Sequence, residues 1–214
     1  MAKIISFISR KGGTGKTTNA INLATALHES GKKVLLVETD TNYTLNTLRK
    51  MEQMRGEAGS GSFEILGSED HQVADELIKI KQNSSLQYVI VDSAGKTTDE
   101  GIKKLCLVSD AVVVPTSLTQ NDLLVTYQTV TDLAPALGLN PKLKIMVLPN
   151  RIHSFTSMKT IHDSLSNLPA GQAGVEAIIL DVRVPQKNIF VNFSTVSAEK
   201  EYQPVVEEIL KHLK

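Results

Sequence analysis

The 214-residue sequence contains a single cysteine, Cys106, and no tryptophan. One thiol excludes a disulfide within the chain and any metal site built only from cysteines of one subunit, and such usage fits a reducing compartment. Aromatic residues make up 4% of the chain, which weighs against a base-stacking platform for nucleic acid. Neither sign of charge is in excess, with 23 basic against 23 acidic side chains. That balance argues against coating nucleic acid by bulk attraction and leaves room for a local basic patch. No apolar run approaches membrane-spanning length, and the opening "MAKIISFIS" is too short and too β-like for a secretory signal, so no membrane partner is expected. The 41% of residues that are apolar suffice for a substantial core, and the length suits one domain over residues 1–214.

Short apolar runs alternate with helical patterns. Residues 3–9, 33–39, 86–92, 111–116 and 143–149 read as strands whose continuous apolar character suits parallel pairing under helices on both faces. Residues 16–31, 71–82, 119–136 and 196–213 read as helices. The first places Ile21, Leu23, Ala24 and Leu27 along one side with Gly31 as its stop, and the last groups Val205, Val206, Ile209, Leu210 and Leu213 into a packing face. The stretch "RGEAGSGS" (55–62) has the composition of a flexible surface loop.

The first predicted strand runs directly into "RKGGTGKTT" (10–18) and a helix. That order gives a phosphate-binding loop its context: Gly12, Gly13 and Gly15 let backbone amides turn inward, and Thr14 lies among them. Lys16 can reach the β and γ phosphates, and Thr17 can offer a hydroxyl to Mg²⁺. Such a metal needs carboxylates at neighbouring strand ends. Asp92 closes one strand, and Glu38 and Asp40 stand at the end of another. On chemical grounds either Glu38 or Asp40 can orient the attacking water, and Asp40 can instead cap the next helix. Lys11 is a second lysine beside a loop already served by one, at a motif that has Arg10 in place of its usual first glycine. It is either a solvated surface lysine or a cation directed at transition-state charge across a subunit boundary.

The stretch "KGGTGKTT" resembles the deviant Walker A motif of the ParA/MinD family of ATPases. "YVIVDSAG" resembles that family's Walker B region, and "SDAVVVPTSLTQNDLLVTYQTVTDL" its characteristic strand and helix. The resemblance implies an α/β fold with a mostly parallel sheet, helices on both faces and a phosphate loop of the deviant Walker A type. It implies ATP and Mg²⁺ as ligands and an ATP-closed sandwich homodimer, with higher assemblies also possible. Carried over, Lys11 contacts phosphate in the opposite subunit and Lys16 in its own. Thr17 binds magnesium with Asp92, Thr18 helps hold phosphate, and Asp40 serves both metal and hydrolysis. Asn150 and Arg151, in "PNRI", fall where members contact adenine. Glu38 departs from the family's usual aspartate, adding a methylene beside the metal, and Thr41 replaces a common proline; these departures imply either slow intrinsic hydrolysis or switch segments that move differently.

Within the family the compact plasmid-partition members are most similar. The chain reaches its first strand at Lys3, with no amino-terminal DNA-binding extension, so nonspecific rather than operator-specific DNA binding is expected. Arg183 and Lys187 fall near the family's DNA-contacting residues and are otherwise ordinary surface cations. The implied function is an ATP-dependent DNA-partition switch stimulated by a ParB-like centromere-binding or cargo adaptor protein. Its implied place is the cytoplasm, with nucleoid association in the ATP state. Positioning of another cellular cargo, and a small-molecule ATP-dependent ligase, are the alternatives. Pro204 and the pair Glu207–Glu208 make the last helix a poor membrane anchor, and Cys106 alone cannot supply a shared iron–sulfur cluster.

Overall fold

A computed structural model describes residues 1–59, 61–69, 72–82, 85–95, 99–166 and 177–214. Ser60 and His71, which fall in the predicted loop 55–62 and helix 71–82, lie outside these residues. The strands are β1 (Lys3–Phe7), β2 (Val34–Glu38), β3 (Glu64–Gly67), β4 (Tyr88–Asp92), β5 (Ala111–Thr116), β6 (Lys144–Ile152), β7 (Ile178–Ile179) and β8 (Val184–Pro185). The helices are α1 (Lys16–Glu29), α2 (Thr44–Met54), α3 (Val73–Lys81), α4 (Asp99–Val108), α5 (Gln120–Leu139), α6 (Met158–Leu165) and α7 (Gln203–Lys211).

Among the described residues the strands form one sheet in the order β3-β2-β4-β1-β5-β6-β7, with β8 alongside β6, and every pairing is parallel. Period-two alternation sends successive side chains of each strand to opposite faces. Ile4 and Ile8 join a core under α3, α4, α5 and α6, while Ile5 and Phe7 join another under α1, α2 and α7. The α/β sheet with helices on both faces is therefore as expected. In such sheets ligands bind beyond the carboxyl ends of the strands, where connections diverge to opposite faces. Here the divergence lies at β1, whose neighbours β4 and β5 flank it on either side.

Helix α1 ends with Gly31 at φ +78° and the Lys32 amide bonded back to the Leu27 carbonyl, so the expected glycine stop is present. On α7, Val205, Val206 and Ile209 are buried, and Leu210 and Leu213 pack partly buried against the same core. The expected helix over 196–213 starts later, because 200–202 forms a 3₁₀ turn ahead of Pro204. The stretch after α2 is partly anchored: the Glu57 and Ala58 amides bond to the Glu52 carbonyl, and Ala58 is buried. No helix of the described residues is long and apolar enough to cross a membrane.

Candidate nucleotide-binding site

Between β1 and α1 the backbone turns through Gly13 and Gly15, at φ +76° and +97°, where a side chain is strained. At Gly15 space matters too, since a Cβ there would collide with the amide of Asn150. That amide donates to the Thr14 carbonyl at 2.6 Å, so the end of β6 ties down the loop. Asn19 donates to the Gly15 carbonyl at 2.7 Å, and its own carbonyl accepts from the Tyr202 hydroxyl at 3.1 Å. Gly15 offers no side-chain cap, which leaves the positive amino end of α1 to an anion.

Two cavities flank this turn. One, of about 870 Å³, is lined by Gly12, Gly13, Lys16, Thr17, Asp40 and Ser93 among others. The other, of about 450 Å³, is lined by Thr18, Asn150, Arg151, Pro185, Lys187 and Phe190 among others. A chamber with a lysine, a hydroxyl and a carboxylate on one side, and a partly apolar cleft on the other, match the two ends of a nucleotide. Arg151 holds φ +57° and is exposed at the cleft.

The chamber is electrostatically tense. Lys16 is 6% exposed and its ammonium bonds back to the Lys11 carbonyl at 3.3 Å. Burial lowers its pKa against the opposing pull of Asp92 and Asp40. Asp92 is 2% exposed, and burial raises its carboxyl to about 7. The Thr17 hydrogen bond and the Lys16 charge pull it down, while Glu38 and Asp40 push it up. Its Oδ1 is buried with no hydrogen-bond partner. An orphaned carboxylate oxygen beside a threonine hydroxyl is the oxygen donor set that a hard divalent cation takes, so Thr17 and Asp92, with Asp40 on the same wall, fit Mg²⁺. When bound, such an ion neutralises charge on the β and γ phosphates.

The structure divides the roles of Glu38 and Asp40. Glu38 is 1% exposed and accepts from the Leu45 amide at 2.9 Å and from the Asn46 amide and side chain at 3.2 Å each. It caps the start of α2, and the extra methylene that was expected beside the metal instead reaches that helix. Asp40 lines the chamber, and its Oδ1 accepts from the Asn42 amide at 3.0 Å in a local turn. The capping that was the alternative for Asp40 is thus done two residues earlier, by Glu38. The loop then passes through Tyr43 at φ 45°, whose ring lies where a Cβ on Gly67 would be. A bulky residue in this region stores strain, and strain of this kind collects at switch segments.

Lys11 forms an ion pair with Asp122 of α5 at 2.6 Å, and the second oxygen of Asp122 accepts from the Ser117 hydroxyl. Arg10 pairs with Asp132 further along the same helix. Burial alone would raise the Asp122 carboxyl; hydrogen bonds from Lys11, Ser117 and Thr119 and the Lys11 charge outweigh it and hold the group low. Arg183 donates to the Ser154 carbonyl at 3.1 Å and to the Thr156 carbonyl, bracing the turn after β6. Lys187 pairs with Glu201 at 3.1 Å on the rim of the base-side cleft.

The structure therefore gathers Gly12, Gly13, Lys16, Thr17 and Asp40 around one chamber, with the buried Asp92 bonded to Thr17 behind its lining, and places Thr18, Asn150 and Arg151 at the adjoining cleft. Sequence reasoning missed Asp122, Asn19 and Thr39, whose hydroxyl accepts from the Ala94 amide at 2.9 Å. Asp122 alone left a signal, as an acid three residues after the helix-capping Thr119.

Sheet order, phosphate loop and chamber define a deviant Walker A P-loop nucleoside triphosphatase of the ParA/MinD superfamily. Within it, the family model described as VirC1 protein matches residues 2–178, and the chain belongs to that family. It is 28% identical to the virC1 protein of Rhizobium rhizogenes, over 80% of this chain and 75% of the relative. It is 24% identical to the maintenance of carboxysome distribution protein A of Gloeobacter kilaueensis, over 97% of this chain and 94% of the relative. Among solved structures, the fold is similar to cobyrinic acid a,c-diamide synthase of Mycobacterium smegmatis with bound ATP analogue and magnesium. That match has a TM-score of 0.71 at 19% identity, covering 100% of this chain and 96% of the other.

Proposed function

We propose that this chain is a positioning ATPase, one domain over residues 1–214, that binds ATP and Mg²⁺ and hydrolyses ATP slowly to ADP and phosphate. Lys16 and the amides around Gly13 and Gly15 hold the phosphates of the chain's own nucleotide. Asp40 orients the water, and Lys11 reaches the nucleotide of a second copy in a closed homodimer. The closed dimer binds nonspecific DNA in the cytoplasm, and an adaptor on the cargo stimulates hydrolysis and release. The cargo is a cellular assembly; a plasmid or chromosome carried through a ParB-like protein is the narrower form of the same reading. Distribution of a cellular body is what the Gloeobacter relative's name describes, and that supports the broader form.

One observation carries this reading: a second lysine stands at the shoulder of a phosphate loop already furnished with Lys16, in a half-exposed ion pair that can open. ATP drives the switch only if it binds the closed dimer better than the open monomer. The test is binding to a random-sequence duplex with ATP, with ADP and with no nucleotide at one moderate salt concentration, with sedimentation followed in parallel. ATP-dependent dimerisation with ATP-dependent DNA binding is the expected result. A dimer that ignores DNA would overturn the DNA tether, and an ATP-bound chain that stays monomeric would overturn the role of Lys11.

A further inference from the structure

We propose that Thr195 is a positioning residue that couples the base-side cleft to the Asp40 loop through α2. The observation is the fate of its polar atoms. Thr195 is 1% exposed, and its amide, hydroxyl and carbonyl are all bonded to side chains of one helix. Glu52 accepts from the Thr195 amide at 3.0 Å, from its hydroxyl, and from the Ser194 hydroxyl at 2.7 Å. Arg49 donates to the Thr195 hydroxyl, to the Thr195 carbonyl at 2.9 Å and to the Phe63 carbonyl at 2.7 Å.

Arg49 and Glu52 are 7% and 3% exposed. Burying two charged side chains is costly, and apolar residues of similar volume would hold a helix against a sheet at least as well. What charges add is a fixed geometry, because every hydrogen bond to them has a direction. The place fixed is informative. Phe190, Val191 and Phe193, immediately before Thr195, line the base-side cleft. At the other end of α2, Glu38 holds the Leu45 and Asn46 amides, and the Asp40 loop lies between Glu38 and the helix. Helix α2 is thus clamped at one end to the wall of the cleft and at the other to the loop that carries Asp40. A base that orders the 190–195 wall thereby restricts α2, and α2 restricts the loop.

This inference rests on the nucleotide reading of the site, and hydrogen exchange on the full chain separates the two. The reporters are the amides of Asn42, Tyr43, Leu45 and Asn46, each bonded to Asp40 or Glu38. Saturating ADP should slow these amides about tenfold more than saturating pyrophosphate, which fills the phosphate chamber without a base. In Thr195→Val, which loses the hydroxyl bonds to Arg49 and Glu52 and keeps those of the backbone, the advantage of ADP should fall while slowing across residues 12–17 persists, and Thr195→Ser should restore it. Equal slowing by ADP and pyrophosphate in the parent overturns the coupling, whether or not the valine variant folds. So does a valine variant that keeps the full ADP effect. Failure of both ligands to slow residues 12–17 removes the nucleotide reading, and this coupling with it.

Discussion

At the level of single residues, the proposed function gives the ammonium of Lys11 two anions to choose from: the Asp122 carboxylate it touches and a phosphate in a second copy. The first must be given up for the second, so the strength of the pair sets a threshold for dimerisation. Lys11 and Asp122 side chains are 38% and 17% exposed, so solvent screening limits the pair to about 1 kcal/mol. Closing a dimer opens one such pair in each copy, so Asp122→Asn should promote ATP-dependent dimerisation by about 25-fold, read by sedimentation, with little change in monomer nucleotide affinity. Weaker dimerisation in that variant would mean Asp122 helps the closed state instead. Asp92 gives a second prediction, with a definite sign. Its folded pKa, about 7, lies above the ordinary value of 3.8, so the folded state binds the extra proton between those limits. Stability then declines as pH rises from 4 through 7, because the native chain must hold an unwanted buried charge. In a chelator and without nucleotide, Asp92→Asn should melt higher than the parent at pH 8, and the gap should close toward pH 5. A pH-independent gap would show that ionisation of Asp92 is not the cause.

At the scale of elements, α2 receives the Glu38 carboxylate just beyond the Asp40 loop, and it is one of the elements that sequence reading missed. Its segment "TLNTLRKMEQM" buries Leu45, Arg49 and Glu52, so its inner side is mostly charged, while Met51 and Met54, which continue the spacing of Leu45 and Leu48, face solvent. Strand β3 has four residues at the sheet edge, α6 has eight, and α4 carries Gly101 within it; each gives too short or too interrupted a signal. By contrast β1, β2, β4, β5 and β6 were legible as apolar runs because both their faces are covered. The phosphate loop was legible because its chemistry is local, whereas Asp122 meets Lys11 across 111 residues and Asn150 meets Thr14 across 136. The choice between Glu38 and Asp40 stayed open in the sequence for the same reason, since the amides that claim Glu38 belong to the unseen helix. Glu38→Asp tests that assignment. A side chain one methylene shorter should lose the cap on α2 at a cost of about 1 kcal/mol, lowering the melting temperature by about 3 °C. It should also lower the hydrolysis rate more than nucleotide affinity, because the slackened end of α2 leads into Asp40. An unchanged rate with a lowered melting temperature would confine Glu38 to stability.

At the scale of the whole molecule, charge balance limits how the proposed DNA tether could work. With 23 basic and 23 acidic side chains there is no long-range field to gather a polyanion, so affinity depends on the few cations that act together. Closing a dimer doubles that number, and each phosphate neutralised on duplex DNA contributes about −0.9 to the slope of log affinity against log salt. Lys187 and Arg183 separate under this test because the structure gives them different employment. Lys187 spends its charge on Glu201 in an exposed pair that a phosphate can replace, whereas Arg183 braces the Ser154 and Thr156 carbonyls. Lys187→Ala should make the slope of the ATP-bound dimer shallower by about 1.8, since each copy then neutralises one phosphate fewer, with little loss of stability. Arg183→Ala should lower the melting temperature, by freeing the turn after β6, and leave the slope nearly unchanged. If the two variants exchange behaviour, the DNA-binding charge belongs to Arg183 and the brace is dispensable. If neither changes the slope, the patch lies elsewhere on the dimer, and Lys211 and Lys214, beyond the packed face of α7, become the cations to substitute next.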